Sequence, residues 1–252
     1  MTAVAVERQG PVMTVSINHP PVNAISPEVL EALSAAVSEA EGDSAVRVVV
    51  VAGTGQTFAA GADLPAFMAR GQSPLSAFQA GVALLSRLES LRQPVVAAIE
   101  GFCLGGGLEL ALAADLRVAS ATARFGQPEV KLGIVPGWSG TWRLPRLIGV
   151  GPALDLMLTG ESVSGERAFA LGLVQRLASE GEVLATAQNL ARQLALNAPG
   201  ALAHAKRLVR SWHEPEAAER EAEANVELAA TANAAEGLQA FVEKRRPRFG
   251  PE

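Results

Sequence analysis

The stretch Ala97-Ala98-Ile99-Glu100-Gly101-Phe102-Cys103-Leu104-Gly105-Gly106-Gly107-Leu108-Glu109-Leu110-Ala111-Leu112-Ala113-Ala114-Asp115 reads as a buried strand, a glycine-rich turn and the start of an apolar helix. Its one anomaly is Glu109, which has Leu108, Leu110, Leu112 and Ala113 around it and no polar face to share. An unpaired buried carboxylate costs several kcal/mol, so such a group neutralises or finds partners. That cost points to a working acid or base. Gly106 and Glu109 stand three apart, on one helix face, so free N–H groups of the first turn and the carboxylate address one space. Glycines there let a ligand approach the backbone. The same residues also fit a plainer role, a tightly packed turn whose glutamate complements the helix dipole.

Outward from this stretch, the pattern is that of an α/β core. Residues 3 to 8 and 12 to 18 alternate around Gly10-Pro11 and predict a β-hairpin. Ser26 as N-cap with Pro27 at the first helical position opens an amphipathic helix to about residue 41. The run Val46 to Ala52 is too apolar for a half-exposed strand. A small-residue loop, Gly53 to Asp63, then precedes a candidate lid over residues 65 to 78. A helix at 75 to 91, the strand Val95 to Glu100, the helix at 105 to 114 and a strand at Leu116 to Ala119 imply parallel pairing through crossover helices. From Ser139 onward the chain reads mainly as helices, at 139 to 148, 150 to 159, 164 to 171, 181 to 197, 199 to 212, 214 to 232 and 235 to 245. One strand is expected near Leu173 to Leu177.

With 252 residues, 49% apolar and 19% charged, the chain can bury a substantial core. No apolar run reaches the roughly 18 to 20 residues of a membrane-spanning helix, because Glu100, Glu109 and Asp115 interrupt the most hydrophobic region. The opening residues show no basic segment before a long apolar one, so no secretory signal is expected. The lone cysteine, Cys103, allows no internal disulfide and fits core packing in a reducing compartment. Histidines 19, 204 and 213 have no metal-ligand spacing, and no metal site is expected. A net charge of −5 argues against nucleic acid as a general partner. The local patch Lys244-Arg245-Arg246-Pro247-Arg248 could still hold phosphates.

Glu129, in Phe125-Gly126-Gln127-Pro128-Glu129, supplies a second carboxylate from the next βα unit. Alone it is as readily a solvated loop residue. Paired with Glu109 it makes a set in which each carboxylate pushes the other's pKa apart, so that one donates a proton while the other accepts. Adding water across a double bond needs such a pair.

At these residues the chain resembles the crotonase, or enoyl-CoA hydratase/isomerase, superfamily over nearly its whole length. The resemblance rests on Phe58-Ala59-Ala60-Gly61-Ala62-Asp63, Gly105-Gly106-Gly107-Leu108-Glu109-Leu110, Phe125 to Glu129 with Leu132-Gly133-Ile134-Val135-Pro136, and Ala240-Phe241-Val242-Glu243-Lys244-Arg245. It is closest to the hydratase branch around Glu129 to Gly133 and Arg143 to Gly149. It implies a crotonase-like (ClpP/crotonase) spiral of ββα units over residues 1–195. A helical C-terminal trimerisation region would follow over 196–252, the whole assembling as a homotrimer or dimer of trimers.

The resemblance also implies roles. N–H groups of Ala62 and Gly106 would form an oxyanion hole for a thioester carbonyl. Glu109 would activate water, and Glu129 would deliver a proton to C2. Val22, Asn23, Ala24, Ala60 and Asp63 would approach CoA, with Lys244 near its phosphates, although Asp63 fits a helix cap equally well. The activity implied is reversible syn addition of water to a trans-2-enoyl-CoA, in the cytoplasm, without a separate cofactor, CoA being part of the substrate. Double-bond isomerisation, which needs one shuttling base, is the nearest alternative. A non-catalytic acyl-CoA- or RNA-binding scaffold is the alternative from another class. One departure stands out: Pro136-Gly137-Trp138-Ser139-Gly140-Thr141-Trp142-Arg143-Leu144 carries Trp138 where relatives often have a small residue, and Trp142 for a usual glutamine. Trp138 and Phe67 are thus candidate acyl-pocket residues, whereas Trp142 fits packing or a subunit contact better.

Overall fold

In a computed structural model that describes residues 2–70 and 73–251, the strand opening the glycine-rich stretch lies in the middle of a six-stranded sheet. β1 (Val4–Gln9) and β2 (Val12–Ile17) form the expected antiparallel hairpin. Ser26 caps α1 (Pro27–Gly42), its hydroxyl accepting from the Val29 N–H, and the chain returns as β3 (Val48–Gly53). α2 (Leu64–Ala69) and α3 (Pro74–Ser90) occupy most of the segment expected to form a lid; Gly71 and Gln72 lie outside the described residues. Next come β4 (Val95–Ile99), β5 (Phe102–Leu104) and α4 (Gly106–Ala113). They are followed by β6 (Leu116–Ser120), β7 (Arg124–Gly126) and a 3-10 turn at Pro128–Leu132. The chain continues through α5 (Gly140–Ile148), α6 (Val150–Thr159), β8 (Ser162–Ser164), α7 (Gly165–Ala170), β9 (Arg176–Ala178) and α8 (Val183–Leu194). The last helices are α9 (Pro199–Arg210), α10 (Ala217–Ala229) and α11 (Ala232–Val242).

The large sheet runs β1-β2-β3-β4-β6-β9, parallel except for the first pair. β3 explains the double layer. Val49 and Val51 enter the core under α1, α3 and α4, whereas Val48 and Val50 face α8, where Val183, Ala187, Leu190 and Ala191 cover them. A strand buried on both faces has no polar side, which is why its valines run without alternation.

A second sheet, β5-β7-β8, supplies the other strand of the ββα units, though nothing in the residue pattern marks it. Its strands are three residues long, too short to express a period, and β5 lies inside what reads as a glycine-rich turn. The sheet makes the chain a spiral: β4 in the large sheet is followed by β5 in the small one and then α4, and β6 by β7 and the 3-10 turn. Among the described residues no helix is long and apolar enough to cross a membrane.

Every residue of α4 is buried. Its C-terminal carbonyls are met by Arg117, itself buried, which donates to Ala111 O at 3.0 Å and Ala114 O at 2.8 Å, and also to Leu173 O, between α7 and β9, at 2.6 Å. A cation there complements the helix dipole, although burial lowers the guanidinium pKa to about 10. Further along, Arg210 and Lys206 of α9 bond Asp115 at 2.7 and 2.8 Å, and Arg210 also meets Glu89. These ion pairs dock the C-terminal helices on the core. Val209, Trp212, Val226, Phe241 and Val242 remain exposed on or beside those helices.

Candidate active site

Glycine at two positions lets two distant loops meet. Gly105 precedes α4 with φ +50°, a conformation side chains disfavour. At Gly107 a Cβ would stand 2.2 Å from the Ala59 carbonyl oxygen, so only hydrogen lets the loop at 58 to 63 lie against α4. The loop is held in place by Ala59 N–H to Phe102 O at 3.0 Å and Leu104 N–H to Ala59 O at 3.1 Å. Ile25 ties its far end through Ile25 N–H to Gly61 O and Asp63 N–H to Ile25 O. Ala62 and Gly106 are thereby neighbours: the Ala62 nitrogen is 3.3 Å from the place of a Gly106 Cβ. Among the described residues neither the Ala62 nor the Gly106 N–H is donated to a protein acceptor. Two donors without a protein acceptor therefore stand beside each other, the arrangement an anionic oxygen could use.

Glu109 is 2% exposed, and its Oε1 accepts from the N–H groups of Trp138 and Gly140, both at 2.7 Å. Ser139 between them takes φ +85°, bending the backbone so that both donors converge on one oxygen. Burial pushes the Glu109 pKa up; the two N–H bonds oppose that, the nearby Glu129 charge adds to it, and the outcome is about 7. Glu129, on the 3-10 turn, is also raised, by burial. Its Oε1 lies 3.0 Å from where a Cβ on residue 105 would be, a second reason for glycine there. Fully buried Gln127, its amide nitrogen turned to the carboxylate as hydrogen bonding requires, donates to both Glu129 oxygens at 3.0 and 3.1 Å.

Ala62, Gly106, Glu109 and Glu129 line one cavity of about 370 Å³, whose other walls include Ala60, Phe67, Phe78, Val135 and Trp138. Phe67 meets the Trp138 ring edge-on at 6.2 Å. The remaining candidates divide. Ala60 lines the cavity and donates its N–H to Val22 O at 3.1 Å. The buried Asn23 side chain is committed to the protein, donating to Thr54 O and Thr57 O and accepting from the His19 N–H, while Ala24 O meets the His19 ring. What that turn leaves for a ligand is its backbone and the exposed Val22 side chain. Asp63 caps α2, accepting from the Ala66 N–H at 3.0 Å. Lys244 is exposed beyond the end of α11 and is not among the cavity's lining residues. Trp142 also lies outside the cavity, flanked by the Arg143 and Arg146 guanidinium groups at 4.4 and 5.4 Å from its ring centre.

Sequence reasoning missed the donors at Trp138 and Gly140, the Gln127 contact and Arg143. Buried Arg143 bonds Glu89 at 2.6 Å and donates to the Trp138 carbonyl at 3.2 Å, steadying the peptide that holds Glu109. A glutamine directly before Pro128-Glu129 was a usable signal. Backbone donors leave none, since every residue carries an N–H.

On this spiral of two sheets, two neighbouring free N–H groups and two carboxyls with raised pKa thus line one cavity. The chain belongs to the enoyl-CoA hydratase/isomerase family, whose model matches residues 7–252. It is similar to the "Probable enoyl-CoA hydratase" of Bacillus subtilis, 40% identical with 100% of both chains covered. It is 38% identical to the "Short-chain-enoyl-CoA hydratase" of Clostridium acetobutylicum over 96% of this chain and 95% of that one. Among solved structures, the enoyl-CoA hydratase of Bacillus anthracis superimposes with a TM-score of 0.94 at 35% identity, over 99% of this chain and all of the other. The architecture is the crotonase fold.

Proposed function

We propose that this protein is an enoyl-CoA hydratase, adding water reversibly and syn to a trans-2-enoyl-CoA to give a 3-hydroxyacyl-CoA. The observation that carries this reading is that Glu109 and Glu129 line the same cavity as the adjacent Ala62 and Gly106 N–H groups. The thioester carbonyl accepts from both N–H groups, drawing electron density from the C2–C3 double bond. Glu109, ionised, takes a proton from water as the oxygen bonds to C3, and the electrons of the double bond move onto the thioester oxygen as an enolate. Glu129, protonated, then gives its proton to C2 and the enolate collapses. One water is consumed and nothing is oxidised or reduced, so no redox partner enters; transfer of the proton gained by Glu109 back to Glu129 through solvent resets the site. The backbone at Val22 to Ala24, with Ala60 and Asp63, borders the route for CoA, and Lys244 supplies a cation for its phosphates. The exposed apolar side chains of α9 to α11 support self-association as a homotrimer or a dimer of trimers.

The test follows the loss of conjugated-thioester absorbance with crotonyl-CoA. Glu109→Gln and Glu129→Gln are each expected to lower kcat by about 10²–10⁴-fold. Full turnover in either variant overturns the two-carboxylate scheme, and conversion of a 3-enoyl-CoA in preference to hydration moves the activity to isomerisation.

A further inference from the structure

The Trp138 side chain does not merely fill core. Its ring bridges two helices at the wall of the cavity. On one side Cζ3 and Cε3 come within 2.8 and 2.9 Å of where a Cβ on Gly106 of α4 would stand. On the other, Nε1, Cε2 and Cδ1 lie 2.2, 2.3 and 2.4 Å from the place of a Cβ on Gly81 of α3. No residue other than glycine at 81 admits the indole. Phe67 packs edge-on against the ring, Trp138 is 4% exposed, and the ring still contributes to the cavity wall.

We propose that the Trp138 indole, seated in the gap left by Gly81, is the wall that ends the acyl pocket, and that the substrates are accordingly short-chain enoyl-CoA thioesters. The assignment of chain length rests on the hydratase reading above. In that reading C1 sits at the Ala62 and Gly106 N–H groups and C3 between Glu109 and Glu129. The chain beyond C3 therefore turns into the apolar part of the cavity, toward Phe67, Phe78 and Trp138. Since the ring abuts the Gly106 position itself, the wall stands close behind the reacting carbons. The residue whose N–H fixes the base thus also limits the substrate, through its backbone and its side chain separately.

A reciprocal substitution isolates the side-chain role. Trp138→Ala keeps the N–H that holds Glu109 and empties the space between α3 and α4. Gly81→Leu in that background refills it, because a side chain grown from residue 81 enters the volume the indole has left. Binding of the saturated thioesters butyryl-, hexanoyl-, octanoyl- and decanoyl-CoA, measured by calorimetry, reports the pocket without the chemistry. Wild type is expected to bind octanoyl-CoA at least about 10-fold more weakly than butyryl-CoA, since a methylene without room is strongly discriminated. Trp138→Ala is expected to bring that ratio to about one or below, and the double variant to restore discrimination by about 10-fold. Trp138→Phe, a smaller ring on the same stem, gives an intermediate ratio and serves if the alanine variant does not fold. A wild type that binds octanoyl-CoA as tightly as butyryl-CoA, or a ratio unmoved in both Trp138 variants, overturns the wall. Crotonyl-CoA turnover run in parallel separates the two claims. Turnover with a flat length profile removes the wall alone, and length discrimination without turnover removes the hydratase reading alone.

Discussion

Replacing Glu109 by glutamine should slow the chemistry by about 10²–10⁴-fold and stabilise the fold at the same time. Both backbone donors, Trp138 N–H and Gly140 N–H, converge on the single oxygen Oε1. A glutamine carbonyl in that place accepts both bonds as the carboxylate does, so the local geometry survives. What disappears is a charge held where burial disfavours it. The folded protein raises the Glu109 pKa from an ordinary 4.5 to about 7, so the native state holds this proton more tightly than the unfolded chain. The sign follows: stability falls as pH rises through this window, and the penalty is complete above the folded value. At about 1.4 kcal/mol per factor of ten in proton affinity, it amounts to about 3 kcal/mol at alkaline pH and vanishes below the unfolded pKa. For a chain of this size each kcal/mol moves Tm by about 2–4 °C, so Glu109→Gln should melt about 6–12 °C above wild type near pH 8. Near pH 5 most of that difference should be gone. Thermal unfolding at the two pH values, followed by circular dichroism, measures it. A variant that melts at or below wild type near pH 8, or that shows the same gain at both pH values, refutes the argument that Glu109 is a strained base whose cost the rest of the core carries.

Two further outcomes follow from the same structure. The kcat/KM for crotonyl-CoA should rise with pH through a limb centred near 7 as Glu109 ionises, and a limb near the ordinary carboxylate range would show that burial does not tune the base. Arg117→Met should remove the guanidinium from three carbonyls; Ala111 O keeps the Ala114 N–H and Leu173 O keeps Gln175 Nε2, so Ala114 O is the one left without a donor, and at about 1–3 kcal/mol for that group Tm should fall by about 2–12 °C. A Tm within about 2 °C of wild type would mean that another donor or water replaces the guanidinium.

The parts of the fold legible in the sequence were those with a period or a cap. Ser26-Pro27 marked the start of α1, the unbroken valines marked β3 as a strand covered on both sides, and the alternation around Gly10-Pro11 marked the hairpin. The second sheet was not legible, because Phe102–Leu104 and Arg124–Gly126 are defined by what lies beside them. At the site, Glu109 was conspicuous as a charge without a polar face, whereas Glu129 gained meaning only as its partner. The pair of N–H groups at Ala62 and Gly106 illustrates the limit: main-chain donors have no sequence signature, and only the glycines that make room for them leave a trace. Asn23 shows the converse. The family resemblance implied ligand contact there, but its amide is spent on Thr54 and Thr57, a use that depends on where a distant loop passes.

The two faces of the large sheet are completed at different times in the life of the chain. A ribosome delivers α1, α3 and α4 close behind the strands they cover, whereas Val48, Val50, Val96 and Ala98 wait for α8, which lies in the last third of the sequence. A nascent chain released or stalled before residue 183 therefore carries a broad aliphatic surface with nothing of its own to cover it, the kind of surface that recruits chaperones or aggregates. For this protein, α8 is the point in translation after which both faces of the large sheet can be covered by the chain itself.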